Sequence, residues 1–161
     1  PVPADELKIG PVDSLYYFSK SRGTLDAGAF ETTLRSFSAL AGAGSKLVLV
    51  DELESITEPG ASAKIIAGIL ETLSEESNTM AIFVSHLADQ ILENTDASIR
   101  VDGIEAKGLD NELNLIVDRN PIYNHIAKST PELIVERLFR SGGEVEREFY
   151  RRLKNKFEKG C

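Results

Sequence analysis

A short run of apolar residues that ends in two carboxylates constrains the fold of this chain more than any other feature. The run covers residues 47–50 and is followed directly by Asp51 and Glu52. A continuous apolar segment of this length, bounded by glycine and serine, predicts a strand buried on both faces of a sheet. Because adjacent charges are costly inside such a strand, we expect the Asp-Glu pair at or just past its carboxyl end.

A second apolar run, residues 79–84, ends in a similar way, at Ser85 and His86. Apolar spacing and aromatic content predict further elements in the first hundred residues, namely a strand at 14–18 and helices at 28–41, 61–73 and 87–93. This alternation of strands and helices predicts an α/β fold with a mostly parallel sheet flanked by helices. In open sheets of this kind, ligands bind at the carboxyl ends of the strands.

The polar residues at these two strand ends have the chemistry of a metal-dependent nucleotide hydrolase. A carboxylate such as Asp51 is suited to hold Mg²⁺ through a water ligand. Its neighbour Glu52 is suited to polarise the attacking water, and His86 to approach the terminal phosphate and help position that water. If the two strands are neighbours, Ser85 converges on the same ligand.

The second part of the chain is less regular. We predict strands at 98–101 and 113–117 and a helix at 122–128, then helices at 131–139 and 144–156, with Ser129 or Thr130 capping the first of these two. The pair Gly142-Gly143 sets off the last helix, which suggests a division into residues 1–140 and 141–161. The last helix carries an apolar stripe that needs a partner, either the chain's own core or a second subunit: Val145, Phe149, Leu153 and Phe157.

Composition limits the remaining choices. The chain has 161 residues and a net charge of −8. This charge argues against a protein whose whole surface binds nucleic acid, because binding to phosphates requires clustered Lys and Arg. Basic residues gather in the last quarter, which is typical of a solvated helix face or of a docking surface for an acidic partner. One cysteine, Cys161, excludes an internal disulfide and favours a reducing compartment, and no apolar run approaches the roughly 20 residues of a membrane span. We therefore expect a cytoplasmic protein.

Taken in order, these segments resemble the MutS family of DNA mismatch-repair ATPases, within the ABC-class P-loop ATPases. Residues 47–52 are similar to its Walker B strand, and Phe83-Val84-Ser85-His86 to the family's strand that ends in histidine. The remaining similarities cover Val2-Pro3-Ala4 (the family's "VPA"), residues 9–18, the signature region at 26–30 with its helix to residue 40, Thr57 and Gly60 in the D-loop, and the tail at 118–134. The resemblance extends over roughly residues 2–139.

The resemblance implies a P-loop NTPase-like fold and ATPase activity in the intact protein, with ATP and Mg²⁺ as cofactors. It implies catalytic roles for Glu52 and His86, and Mg²⁺ binding through water at Asp51. Further nucleotide contacts are implied at Ser85, Thr57, Gly28 and Phe30. ABC-class ATPases bind ATP between two subunits, so a homodimer is implied, with ATP-driven closure coupled to DNA binding by other domains.

The sequence also departs from the family. The phosphate-binding motif Gly-x-x-x-x-Gly-Lys-Ser/Thr does not occur in the 161 residues, so we expect this chain to begin just after that loop and to be inactive in isolation. Gly28 and Ala29 stand where the family has Ser-Thr, which removes a hydroxyl group from the signature, and the D-loop is shortened around residues 58–60. Two alternatives remain: a lobe of an SMC-like ABC ATPase, and a dimerisation module that does not hydrolyse ATP.

Overall fold

The computed structural model describes residues 6, 8–19, 27–40, 42 and 44–158, without the side chains of residues 27–30, 55 and 56. The chain divides into two compact units, Pro1–Ile99 and Arg100–Cys161. The predicted boundary between residues 140 and 141 stays a prediction. Within the described residues, no helix is both long and apolar enough to cross a membrane.

The first unit is built around three parallel strands in the order β1-β2-β3. Its elements are β1 (Ser14–Ser19), α1 (Ala27–Ser38), β2 (Lys46–Asp51), a 3₁₀ helix (Leu53–Ile56), α2 (Pro59–Ser74), β3 (Thr79–Val84) and α3 (Ala88–Leu92). The predicted α/β class and parallel sheet are confirmed. The predicted strands coincide with β1, β2 and β3 to within a residue or two. The helix predicted at 61–73 begins two residues earlier, at Pro59, and the 3₁₀ helix before it was not predicted.

One face of this sheet packs against helices and forms the core. Along β2, Val48 is 0% exposed and Val50 is 2% exposed, and both belong to the same buried cluster as Ile66 of α2. Phe18 of β1 stacks on Phe37 of α1 with ring centroids 4.2 Å apart. Side chains alternate between the two faces of a strand, so every second residue of each strand contributes to this core.

The opposite face of the sheet is open, which corrects the prediction that β2 is buried on both faces. Five large side chains of the edge strands are more than half exposed: Leu15, Tyr17, Met80, Ile82 and Val84. The connections explain this arrangement. Both crossovers, β1-α1-β2 and β2-α2-β3, step in the same direction along the sheet. Because crossovers between parallel strands are right-handed, two steps in one direction place α1 and α2 on the same face.

A lysine begins β2 on the covered face and is almost completely buried. Lys46 is 4% exposed, and its Nζ lies 2.5 Å from Oε2 of Glu76 in the loop before β3. The Thr79 hydroxyl donates to the same Glu76 oxygen at 2.9 Å. The hydrogen bond from Lys46, followed by that from Thr79, lowers the pKa of Glu76. Glu76 thus compensates the buried charge of Lys46. This ion pair lies at the amino end of β2, whereas Asp51 lies at its carboxyl end.

The second unit contains an antiparallel pair of strands and two helices. These are β4 (Ala106–Leu109), β5 (Leu115–Val117), α4 (Pro131–Ser141) and α5 (Glu144–Glu158). The prediction of a strand at 98–101 is wrong, and the strand predicted at 113–117 is the shorter β5. β4 was not predicted, and β4 and β5 form a separate sheet rather than an extension of the first one.

The predicted helix at 122–128 is also wrong, because this segment forms backbone contacts with residues 101–103. Ile122 and Gly103 exchange backbone hydrogen bonds, and the His125 N–H donates to the Val101 carbonyl at 3.0 Å. Asn124 has a positive φ of 51°, which is incompatible with a helix. The start of α4 at Pro131 is as expected, but the Thr130 side chain makes no capping hydrogen bond.

The last two helices pack against each other through a charged contact. Lys154 of α5 lies 2.8 Å from Glu136 of α4 and 5.6 Å from the ring centroid of Phe139. The apolar stripe of α5 points elsewhere: Val145 is 89% exposed and Phe149 is 60% exposed. Leu153 and Phe157, further along the same stripe, are 36% and 42% exposed. The described part of this unit therefore leaves the first half of the stripe uncovered and covers the second half in part.

Candidate functional site

The carboxyl ends of β2 and β3 lie side by side at one edge of the parallel sheet. The register pairs Val50 with Phe83 and Asp51 with Val84. The backbone N–H of Glu52 then donates to the Val84 carbonyl at 3.1 Å, which extends the pairing one residue past β2. The two strands are thus neighbours, as the convergence of the four predicted polar residues requires.

Asp51 is the last residue of β2 and is half-buried. By strand alternation its side chain lies on the same face as Leu47 and Leu49, which is the open face of the sheet. Mg²⁺ in proteins keeps several water molecules and is held by one or two carboxylates together with substrate phosphates. A single carboxylate at the end of a strand fits that pattern. In the described ranges, no cluster of three or more His, Cys, Asp or Glu side chains suits a metal, so these residues do not form a metal cage by themselves.

Glu52 adopts a left-handed backbone conformation, with φ 50° and ψ 45°. This region costs a non-glycine residue about 1–3 kcal/mol, and such residues cluster at functional sites. Oε1 of Glu52 lies 3.7 Å from Nε2 of His86, and the two side chains are 48% and 77% exposed. The predicted catalytic pair is therefore brought together at the solvent-exposed edge, where a ligand has access to both groups.

Ser85 and Thr57 are held by local contacts. The Ser85 hydroxyl accepts a hydrogen bond from the Leu87 N–H at 3.0 Å, which shapes the turn that presents His86. Thr57 follows the 3₁₀ helix, is half-buried, and lines a small cavity with Thr33, Leu53 and residues of α2. Thr57 therefore packs towards α1 and α2.

The remaining residues of the predicted nucleotide site belong to the start of α1 or precede it. Gly28 and Phe30 lie in the first turn of this helix, and the Phe30 side chain is outside the described part of the chain. The "VPA" segment at 2–4 and Asp26 also lie outside the described residues. Their predicted roles stay predictions.

Glu54 belongs to the same edge and was not predicted. Its Oε1 accepts a hydrogen bond from the His86 backbone N–H at 2.7 Å, and its backbone carbonyl accepts one from the Ser62 hydroxyl at 3.0 Å. In the sequence the only signal is a third carboxylate, two positions after Glu52. That spacing does not reveal a contact made across 32 residues.

Comparison with known proteins is consistent with the family resemblance. The chain is 48% identical over 160 residues, 99% of its length, to the DNA-binding protein MutS2 of Pyrococcus furiosus. The predicted resemblance to part of a MutS family protein is thereby confirmed. The chain spans 28% of the length of this relative. No family model matches the chain, and no solved structure matches it.

Proposed function

We propose that this chain provides the Walker B and histidine part of an ATP-hydrolysing site in a MutS-like protein. The observation that carries the proposal is the juxtaposition, at the carboxyl ends of two adjacent parallel strands, of Asp51, Glu52 and His86, with 3.7 Å between the side chains of Glu52 and His86. In this proposal the α/β fold is part of an ABC-class P-loop ATPase domain, which the three-stranded parallel sheet supports. Ligand sites in open parallel sheets occupy this edge.

In this proposal the three side chains have separate tasks. Asp51 binds a water ligand of the Mg²⁺ ion that accompanies ATP, and the ion neutralises charge that develops on the phosphates. Glu52 accepts a hydrogen bond from the attacking water and orients it towards the terminal phosphate. His86, next to Glu52, donates a hydrogen bond near that phosphate. Phosphoryl transfer depends mostly on positioning and charge stabilisation, so these groups are sufficient once the phosphates are held.

The phosphates are held by a segment outside the 161 residues. The chain contains no Gly-x-x-x-x-Gly-Lys-Ser/Thr motif, so the backbone amides and lysine of a phosphate-binding loop come from elsewhere in a longer polypeptide. The open apolar face supports this view, because a further strand–helix unit that runs in the opposite direction along the sheet would cover it. Asp51 lies on that same face, next to where the additional helix would pack.

DNA binding and dimerisation are the parts of this proposal that rest on the family resemblance. The Pyrococcus furiosus relative is a DNA-binding protein, and we propose that this chain couples ATP-driven closure of a homodimer to DNA contacts made by other segments. The net charge of −8 supports a role in which the DNA-binding surface lies mainly outside this chain. The exposed first half of the α5 stripe supports a partner at that helix, since an 89%-exposed Val145 and a 60%-exposed Phe149 present apolar surface to water.

Substitution of Glu52 tests the catalytic part of the proposal. In the longer protein that joins this chain to its phosphate-binding loop, Glu52→Gln should retain ATP binding and lose turnover by about 100-fold or more, the scale of a general base. Glu93→Gln is a matched control, because Glu93 is an exposed glutamate at the end of α3. Undiminished turnover in Glu52→Gln would remove this residue from the proposed role.

A dimerisation module that does not hydrolyse ATP is the second candidate, favoured by the absence of a phosphate-binding loop from the sequence. Calorimetric titration of the longer protein with Mg²⁺-ATP separates the two. Saturable heat that disappears without Mg²⁺ supports the ATPase, whereas no heat at millimolar nucleotide favours the dimerisation module.

A further inference from the structure

The carboxylate of Glu54 links the two loops that carry the proposed catalytic pair. Its Oε1 accepts the His86 backbone N–H at 2.7 Å, within the range of charge-assisted bonds. Its Oε2 is buried and has no hydrogen-bond partner, so the carboxylate is sequestered from water on one side. The Ser62 hydroxyl fixes the Glu54 backbone to α2 from the other side, with 3.0 Å to the Glu54 carbonyl. One residue therefore connects the 3₁₀ helix, α2 and the loop after β3.

The hydrogen bond from the His86 N–H to the Glu54 carboxylate replaces a backbone hydrogen bond that would otherwise join the ends of β2 and β3. The Glu52 N–H donates to the Val84 carbonyl, and in a regular parallel ladder the next donor, the His86 N–H, would reach the Glu52 carbonyl. The left-handed conformation of Glu52 ends the extended strand at that point. The His86 N–H is instead bonded by the Glu54 carboxylate.

We propose that Glu54 is a positioning residue that holds His86 against Glu52. The inference rests on the proposed ATPase role of Glu52 and His86. The His86 side chain is 77% exposed, so packing does little to fix it, and its location depends on how its backbone is held. Glu54 and His86 lie outside the buried apolar cluster, so loss of the contact should move the histidine while leaving the core of the first unit intact.

The first experiment measures the contact in the 161-residue chain and needs no nucleotide. By NMR, Glu54→Ala should raise the hydrogen-exchange rate of the His86 amide about tenfold or more, the loss expected for a hydrogen bond to a charged group. It should also weaken the nuclear Overhauser contacts between the His86 ring and the Glu52 side chain. Glu54→Gln keeps an acceptor oxygen and should preserve both signals, and the exposed Glu93→Ala is the control.

The second experiment measures turnover in the longer protein that includes the phosphate-binding loop. Glu54→Ala should lower kcat for ATP about tenfold and leave KM within about twofold, since a lost orientation acts on the chemical step. Glu54→Gln should restore most of kcat. An Ala variant with the wild-type kcat, or with unchanged His86 exchange and ring contacts, would overturn the proposal.

The two experiments distinguish failure of this inference from failure of the proposed function. If the wild-type protein hydrolyses no ATP but the His86 signals change in Glu54→Ala and recover in Glu54→Gln, the ATPase proposal fails and the structural link stands. If wild-type turnover is normal and Glu54→Ala leaves it unchanged, the ATPase proposal survives and the positioning role of Glu54 is rejected. If Glu54→Ala does not fold, Glu54→Met takes its place, because it keeps the length of the side chain and removes the acceptor oxygen. Unchanged His86 exchange and ring contacts in that variant reject the role.

Discussion

Two valines in the same sheet test whether one of its faces is open. Val48 of β2 is 0% exposed on the helix-covered face, whereas Val84 of β3 is 57% exposed. Val48→Ala removes two buried carbons, worth about 1.6 kcal/mol of transfer free energy at about 0.8 kcal/mol each. The cavity left behind raises the expected loss in the free energy of unfolding to about 2–3 kcal/mol.

For Val84→Ala the same chemical change should cost much less. Less than half of the Val84 side chain is buried, which leaves about 0.7 kcal/mol of transfer free energy and no closed cavity. Both substitutions lose a β-branched residue from a strand, so the strand-propensity contribution largely cancels in the comparison.

Native-state hydrogen exchange of the β2 amides is the appropriate assay, because it reports the opening of β2 itself. Val48→Ala should accelerate exchange by about 30-fold or more and Val84→Ala by about threefold, since each 1.4 kcal/mol corresponds to a factor of ten. Equal effects, or a larger effect for Val84, would refute the reasoning. They would show that the second face of the sheet is covered in the isolated chain.

Two further properties can be tested in the second unit, the first of them against a comparison glycine in the first unit. Gly103→Ala should destabilise the second unit by about 1–3 kcal/mol in chemical denaturation, because the new Cβ would lie 2.7 Å from both the His125 carbonyl oxygen and the Ala127 nitrogen. In the same assay, Gly68→Ala at an exposed position of α2 should stabilise the first unit by about 1 kcal/mol. The pKa of Glu105 is lowered, first by the hydrogen bond with His125 and then by that from the Lys128 N–H. Its contribution to stability is therefore present above the ordinary glutamate value of 4.5 and is lost as the pH falls through the lowered folded value. The unfolding free energy of the second unit should decrease over that range, and less so in Glu105→Gln.

The sequence predicted the strands of the first unit because their apolar runs are short, continuous and bounded by turn residues. The run at 79–84 coincides with β3. Apolar runs do not show which face of the sheet is covered, because that depends on the direction of the crossovers. Ile82 and Val84 are as apolar as a buried strand requires, yet no helix of the described first unit covers their face of the sheet.

The second unit was harder to predict because its backbone contacts are not encoded in periodicity. Residues 122–128 have apolar side chains at helical spacing, but the approach of Gly103 to Ala127 and the backbone bonds of Ile122 produce an irregular segment. At the candidate site, the ends of two apolar runs were sufficient to indicate Asp51, Glu52 and His86. Glu54 could not be found in this way, because its role depends on a side chain that reaches a backbone amide in another loop.

The left-handed conformation of Glu52 explains how two adjacent carboxylates can serve different purposes. In a strand that continued beyond Asp51, the alternation of side chains would direct Glu52 towards the face that carries Val48 and Val50, which is packed against helices. A carboxylate there would be buried at high cost. The turn at φ 50° instead leaves Glu52 48% exposed and 3.7 Å from His86, while Asp51 stays on the open face. The backbone strain at one residue thus separates the carboxylate proposed to hold Mg²⁺ through water from the proposed water-orienting group.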